Sequence, residues 1–471
     1  MLRELAEMVR TGRVSARELV LHALERIERD NPPLNAVIAS RAEEALAEAD
    51  ALDERVDGGQ REDLDLPLAG VPLLVKDVHD ITGMRTTIGS LLLADAPPAA
   101  RDHAVVARLR AAGAIAVGKT NVPEFCFEGY TDNRVYGTTR NPWVRDFTPG
   151  GSSGGSAAAA AAGMVPIATA TDGGGSIRIP AGWCGLAGIK PTNGLVGRDP
   201  IPSWIDFSTD GPFATTIEDL RLLLEVESGP FAGDPAALPY APQLVAAPGR
   251  DRPSRVLAAE RLVDWGPLPA SVARAFEVAL EAHERDHGLP VERIGPADIF
   301  TAGNIDDDWF VIATVEQAYE LGRETIAREK ERFTDVFAYC MEQGLGYTAE
   351  EYATVRRRRF DYVRQLDELL GDDVVLACPT LCVEKHWADG RVPGHDGIGT
   401  PASVYNTQAQ NMTGHPAISL PAGTLPSGLP FGLELTGPRF RDDLLLAVGA
   451  TWEQARPWPR VAPDYEEFWP L

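Results

Sequence analysis

A chain of 471 residues, 44% hydrophobic and 24% charged, has the make-up of an ordinary globular protein, which excludes a fibrous repeat and a disordered chain. A formal charge of −25 argues against a nucleic-acid phosphate backbone as partner and weakly favours neutral or cationic small molecules. The five cysteines, Cys126, Cys184, Cys340, Cys378 and Cys382, are odd in number and scattered. They fit reduced thiols and complete no zinc pattern, so neither a metal nor another cofactor is expected.

Residues 1–30 are charged throughout, which predicts no secretory signal, no membrane span and a cytoplasmic protein. The first 56 residues read as helices, with Ser15 and Glu18 forming a capping box ahead of Leu19, Val20, Leu24 and Ile27. From Gly70 the texture changes to short apolar runs at 71–75, 114–117 and 165–168, separated by helical stretches at 103–112 and 154–163. About 300–371 becomes helical and charged, with Trp309, Ile312, Val315, Ala318 and Leu321 spaced along one helix face. Strand-like runs return at 374–377, 417–420 and 431–435, ahead of a last helix at 442–455. Alternation of this kind predicts an α/β fold, one large domain over 1–471 with a mixed central sheet, helices on both faces and an inserted helical layer.

Three segments carry chemistry: the strand-like run ending in Lys76, GGSSGGS around Ser152, and DGGGSIR around Ser176. Each has an ordinary counterpart, a surface lysine, a flexible linker or a loop. The linker reading conflicts with context, because GGSSGGS runs directly into alanines 157–162, a helix that would anchor it. A held Gly–Ser loop at a helix start points to phosphate binding or to nucleophilic catalysis. No lysine occurs between Trp143 and Ile189, which disfavours a phosphate loop.

The pattern G-x-S-x-G occurs twice, centred on Ser152 and on Ser153, but residues 145–149 are not the apolar strand that a nucleophile elbow requires. Residues 167–171 do read as a strand, which gives Ser176 the better platform. Gly173, Gly174 and Gly175 leave no side chains before Ser176, so their N–H groups can converge as an oxyanion hole requires.

At these residues the chain resembles the amidase signature family, in three blocks and in order: Lys76 after a short apolar strand, 150–156, and 172–178. Further blocks at 184–192, 211–214 and 414–417 extend the resemblance over most of the chain. The resemblance implies the fold of that family, with Ser176 as nucleophile, Ser152 as proton bridge behind a cis Gly151–Ser152 peptide, and Lys76 as a base that must be neutral to work. It implies that Asp172 and Arg178 brace the serine loop. It also implies that Cys126 and Phe127 line the acyl pocket, with Cys126 not the nucleophile.

Tyr130, Tyr136, Trp204, Phe207 and Trp309 are candidates for an aromatic wall, so an aryl or hydrophobic amide, or a carbamate, is the expected substrate. His79 and His415 are expected to be structural or at the pocket rim. Gly173, where the family more often carries a larger residue, predicts a wider entrance beside the oxyanion hole. Ile179 stands where the glutamine-hydrolysing subunit of the transfer-RNA amidotransferase carries Gln, which favours a free-standing hydrolase over that subunit, and the presence of Lys76, Ser152 and Ser176 together disfavours a non-catalytic binding subunit. No nucleic-acid or membrane partner is expected, and a homodimer is compatible with the sequence.

Overall fold

The computed structural model describes residues 1–58, 66–240 and 242–469. The chain opens with α1 (Leu2–Arg10) and α2 (Ala16–Asp30), and the Ser15–Glu18 capping box starts α2 as expected. The first 56 residues are not all helical, however. The β-branched pair Val37 and Ile38 begins β1 (Val37–Ser40), which is held by antiparallel pairing with a strand far along the chain before α3 (Ala42–Asp57) resumes.

Next come β2 (Pro72–Lys76), α4 (Ala104–Ala111), β3 (Ile115–Thr120), α5 (Gly154–Ala161) and β4 (Ile167–Ala168). After these, β5 (Thr171–Asp172), α6 (Arg178–Cys184), β6 (Ala187–Lys190), β7 (Thr209–Asp210), β8 (Phe213–Ala214) and α7 (Ile217–Glu227) carry the chain through the serine segments. A parallel unit of β9 (Arg255–Ala258), α8 (Ala270–His287) and β10 (Val291–Arg293) precedes the helical layer, α9 (Ile305–Leu321), α10 (Arg323–Glu329), α11 (Asp335–Gly346) and α12 (Ala349–Leu370). The chain closes with β11 (Val374–Pro379), α13 (Gln408–Thr413), β12 (Ala417–Thr424), β13 (Pro430–Thr436) and α14 (Asp442–Ala455).

The strands form a seven-stranded mixed sheet in the order β10-β9-β11-β13-β12-β6-β8, a four-stranded sheet β1-β3-β2-β4, and the pair β5-β7. Helices cover both faces of the larger sheet. Gly182 of α6 lies under Ser419, whereas Gly449 of α14 lies against Ile418 and Leu420, the neighbours that alternation sends to the opposite face. The main apolar core surrounds both sheets. A second core joins the helical layer (Ile312, Phe333, Phe337, Tyr362) to Phe127, Trp204 and Phe207. The run 167–171 is not one strand: β4 ends at Ala168 in the four-stranded sheet, and β5 restarts at Thr171 paired with β7. Ser176 therefore lies where the chain passes from the four-stranded to the seven-stranded sheet, whereas Ser152 precedes α5 between two strands of the former.

Candidate active site

Lys76 is the last residue of β2, and its side chain is fully buried. Its N–H donates to Thr169 Oγ1 at 2.8 Å, and its Nζ lies 2.8 Å from Ser152 Oγ and 2.6 Å from Thr171 Oγ1. Among the described residues no carboxylate pairs with this amine. The neighbouring buried lysine, Lys119, does have one, Asp77 at 2.7 Å. Burial pushes the Lys76 pKa down, against the weaker opposing pull of Asp172 and Asp210.

The Ser152 loop is pinned along its length. Thr131 Oγ1 donates to the carbonyl of Gly150 at 2.8 Å, Gly150 N–H donates to Thr148 Oγ1 at 3.1 Å, and Asn141 Nδ2 bridges the carbonyls of Thr148 and Trp183 at 3.0 and 2.9 Å. The Gly151–Ser152 peptide is cis, as the family resemblance implies. A Cβ on Gly151 would lie 2.6 Å from the carbonyl oxygen of Glu128, so only glycine fits there. The following alanine helix is buried on every side, which makes the segment an anchored loop and not a linker.

Ser176 follows β5 and the three glycines. Asp172 organises this turn: its carboxylate accepts from the N–H of Gly175 at 2.7 Å, from Ile177 N–H at 3.3 Å, and from Arg178 Nε and Nη2 at 2.9 and 3.0 Å. Arg178 is completely buried and also donates to Glu434, Gln410, Asn411 and the carbonyl of Thr407, at 2.7–3.0 Å. These contacts tie the Ser176 turn to α13 and β13. Burial opposes ionisation of both carboxylates: Arg178 outweighs it at Asp172, whose pKa is lowered, while Glu434 is pushed up to about 7.

The network corrects the expected oxyanion hole. The N–H of Gly175 is engaged by Asp172 and is withdrawn from that role, leaving the N–H groups of Gly173, Gly174 and Ser176 without an acceptor among the described residues.

Ser152, Ser176, Gly173, Thr171, Cys126 and Trp204 line one cavity of about 430 Å³. Ser176 is only 8% exposed, and no hydrogen bond joins its Oγ to Ser152 Oγ among the described residues. Cys126 reaches the cavity through two successive left-handed residues, Phe125 (φ 49°) and Cys126 itself (φ 59°), a conformation that side chains disfavour. Its thiol lies beside Lys76 and Ser152, and burial pushes its pKa up, which suits a wall residue better than a nucleophile.

The wider entrance expected at Gly173 is not there. The space is filled by Trp204, whose Cε3 would lie 2.3 Å from a Cβ at that position. Trp309 of α9 closes on the next residue, 2.7 Å from a Cβ on Gly174, and its Nε1 donates to the carbonyl of Gly173 at 2.8 Å. Phe127 and Phe207 stand behind Trp204, with ring centroids 5.3 and 6.0 Å away, and support the wall without lining it. Tyr130 is outside the cavity, packed against His386 and over Gly390. Tyr136 is not part of the lining, and His415 is buried away from it beside Asp367.

Residues not foreseen include Thr169, Thr171, His103, Asp210, Phe125, Gln317 and Glu320. The alternation Thr169-x-Thr171 is the one local signal that places two hydroxyls on the face of Lys76. His79, expected to be structural or at the pocket rim, lies in the cavity lining and hydrogen-bonds Thr169 and Asp210 at 2.8 and 2.9 Å.

Comparison with known proteins agrees with this geometry. The profile of the Amidase family matches residues 18–446. The chain is 34% identical to a glutamyl-tRNA(Gln) amidotransferase subunit from Alkalilimnicola ehrlichii, with 98% of each protein covered. It is also 34% identical to the putative amidase AmiB2 of Mycobacterium bovis, over 98% of this chain and 96% of that protein. Among solved structures, a bacterial aryl acylamidase of the amidase signature family superposes with a TM-score of 0.86 at 28% identity, over 97% of this chain and 96% of the other. The chain belongs to the amidase signature family, whose members are hydrolases of carbon–nitrogen bonds.

Proposed function

We propose that the protein is a free-standing serine amidohydrolase acting on an aryl or otherwise hydrophobic amide or carbamate, through an acyl-enzyme on Ser176. The observation that carries this reading is the buried Lys76 amine, which among the described residues is held by the hydroxyls of Ser152 and Thr171, both of which line the cavity that Ser176 also lines. A lysine without a counter-charge in a buried setting favours the neutral amine, the only form that accepts a proton.

In the reaction Ser176 Oγ attacks the substrate carbonyl carbon. Its proton passes to Ser152 Oγ while Ser152 gives its own proton to Lys76 Nζ. The tetrahedral oxyanion is received by the free N–H groups at Gly173, Gly174 and Ser176, each worth about 3–4 kcal/mol in comparable sites. Return of the proton through Ser152 to the substrate nitrogen releases the amine. Water then repeats the sequence and frees the acid.

The cavity wall supports the substrate class. Val78, Ile88, Leu93, Phe125, Ile201, Trp204 and Leu321 give it an apolar and aromatic surface. Its guanidinium, Arg198, is engaged by Asp234 and by the carbonyls of Ile205 and Ser208 at 2.7–3.3 Å. A zwitterionic amino acid such as glutamine would bring a carboxylate, and among the described residues that line the cavity no lysine or uncommitted arginine stands to meet it. That observation sets this reading against the glutamine-hydrolysing one, which the 34% identity to an amidotransferase component keeps as the alternative.

A panel of chromogenic anilides, carbamates, glutamine and asparagine tests the proposal. Anilide or carbamate turnover that disappears in Ser176→Ala is expected, with an acid limb in kcat/KM where Lys76 becomes charged. Mass spectrometry after treatment with a phosphonyl inhibitor should place the adduct on Ser176. Exclusive activity on glutamine, or full activity of Ser176→Ala, overturns the proposal.

A further inference from the structure

Beyond the three residues that exchange protons, a second set of side chains fixes the position of the base. Thr169 Oγ1 accepts the N–H of Lys76 at 2.8 Å, which leaves its hydroxyl proton to be donated. The atom facing it, at 2.8 Å, is Nδ1 of His79. On the other side of the ring Nε2 lies 2.9 Å from Asp210 Oδ1. This partner is a carboxylate, which only accepts, so Nε2 must carry a ring proton toward it. In the neutral ring Nδ1 is then the acceptor for the Thr169 hydroxyl, and every atom in the chain has a complementary partner.

The chain also closes on itself. Asp210 belongs to β7, where its backbone pairs with Thr171 of β5, and Thr171 Oγ1 contacts Lys76 Nζ at 2.6 Å. The backbone and the amine of Lys76 are thus referenced to the same pair of short strands. Lys76, His79, Thr169 and Asp210 are all buried, and His79 is 1% exposed.

We infer that His79 is a positioning residue for the base, holding Lys76 through Thr169 and itself oriented by Asp210. This rests on the assignment of Lys76, Ser152 and Ser176 made above. A rival use of the same place is a cation site, since His79, His103 and Asp210 have ligand atoms within 4.8 Å of one another. Hydrogen bonding favours the positioning role. Nδ1 of His103 accepts the N–H of Val105, at 3.4 Å, which puts the proton of its neutral ring on Nε2, where a metal would need a lone pair. Nε2 of His79 is likewise protonated toward Asp210.

The substitutions His79→Leu and His79→Asn test the inference. Asparagine places its carbonyl oxygen near the site of Nδ1 and can accept from Thr169, whereas leucine fills the volume and accepts nothing. In His79→Leu kcat on the anilide should fall by about 10- to 100-fold with KM within about twofold, since a displaced base slows only the chemical step. The acid limb of the kcat/KM profile, set by Lys76, should move. His79→Asn should recover kcat to within about threefold of the parent and restore the limb.

Should His79→Leu fail to fold, Thr169→Val and Thr169→Ser provide the same contrast, with the serine hydroxyl as the rescuing group. Parental kcat in His79→Leu, or equal loss in His79→Asn and His79→Leu with an unmoved acid limb, overturns the positioning role. Ser176→Ala assayed alongside separates the two levels: turnover there overturns the assignment of the trio, whereas a dead Ser176→Ala with an unaffected His79 series overturns only the relay.

Discussion

Replacing Gly173 with Thr, a residue common at this place in the family, should damage this protein. A Cβ there would lie 2.3 Å from Cε3 and 2.6 Å from Cζ3 of Trp204. The indole has nowhere to withdraw: its Nε1 donates to the carbonyl of Ala313 at 3.2 Å, and its ring is boxed by Phe127, Phe207 and Trp309 at centroid distances of 5.3, 6.0 and 5.8 Å. Overpacking of this kind costs about 1–3 kcal/mol. Taken wholly from transition-state binding, that is a fall in anilide kcat/KM of roughly 5- to 150-fold. Trp204→Phe removes the outer ring that would be struck, so the double variant Gly173→Thr with Trp204→Phe should recover part of the loss, with a coupling of about 1–2 kcal/mol. The assay is kcat/KM for the four proteins of the cycle, with thermal melts beside it. Gly173→Thr within twofold of the parent at unchanged Tm, or a double variant equal to the product of the singles, refutes the reasoning.

Two further outcomes concern buried charge. Arg178→Ala leaves Asp172 and Glu434 without their guanidinium in a fully buried setting, and thermal or urea unfolding should show a loss of about 3–5 kcal/mol; Arg178→Lys should recover little of it, because an ammonium cannot reach partners spread in so many directions. Glu128 supplies a pH test. Burial raises its folded pKa to about 7 while its carboxylate accepts from Thr400 N–H and Oγ1 at 3.2 and 3.0 Å. The folded state therefore holds the proton more tightly than the unfolded chain, and its contribution to stability is lost as pH rises from about 4.5 to about 7. Glu128→Gln stays neutral and should gain on the parent by on the order of 2 kcal/mol at pH 8 and by little at pH 4; an equal difference in melts at both pH values would contradict this.

What the sequence discloses about this site depends on how far apart the partners lie. Lys76, Ser152 and Ser176 were legible because each sits in a local pattern of glycines, serines or an apolar run that has few other uses. The sheet alternation was equally plain, but β1 was missed inside a helical stretch because four residues gain strand character only from pairing with β3. Gly173 read as open space, since a missing side chain says nothing of what a distant loop brings to fill it; Trp204 arrives from 31 residues further on. Gly175 read as an oxyanion donor because three successive N–H groups invite that reading, and the rival acceptor, Asp172, lies just before them. The link from His79 to Asp210 spans 131 positions and had no local signature at all.

Pleat geometry explains why Lys76 meets hydroxyls and its neighbour Lys119 meets a carboxylate. Two lysines are buried side by side on adjacent parallel strands, with Val75 opposite Lys119 and Lys76 opposite Thr120. Successive side chains point to opposite faces, so Asp77, two residues after Val75, shares the face of Lys119 and pairs with it at 2.7 Å. Lys76 and Thr120 share the other face, toward α5, where Ser156 meets Thr120 Oγ1 at 2.6 Å and Ser152 meets Lys76. Sequence places Asp77 next to Lys76, but the pleat takes its charge away from Lys76 and leaves the amine to hydroxyls. Adjacent residues stay on opposite faces whatever the register, so the pleat keeps the Asp77 carboxylate from the Lys76 amine. The pairing of β2 with β3 and β4 then fixes which face of the sheet each buried lysine takes, with hydroxyls around Lys76 and a carboxylate beside Lys119.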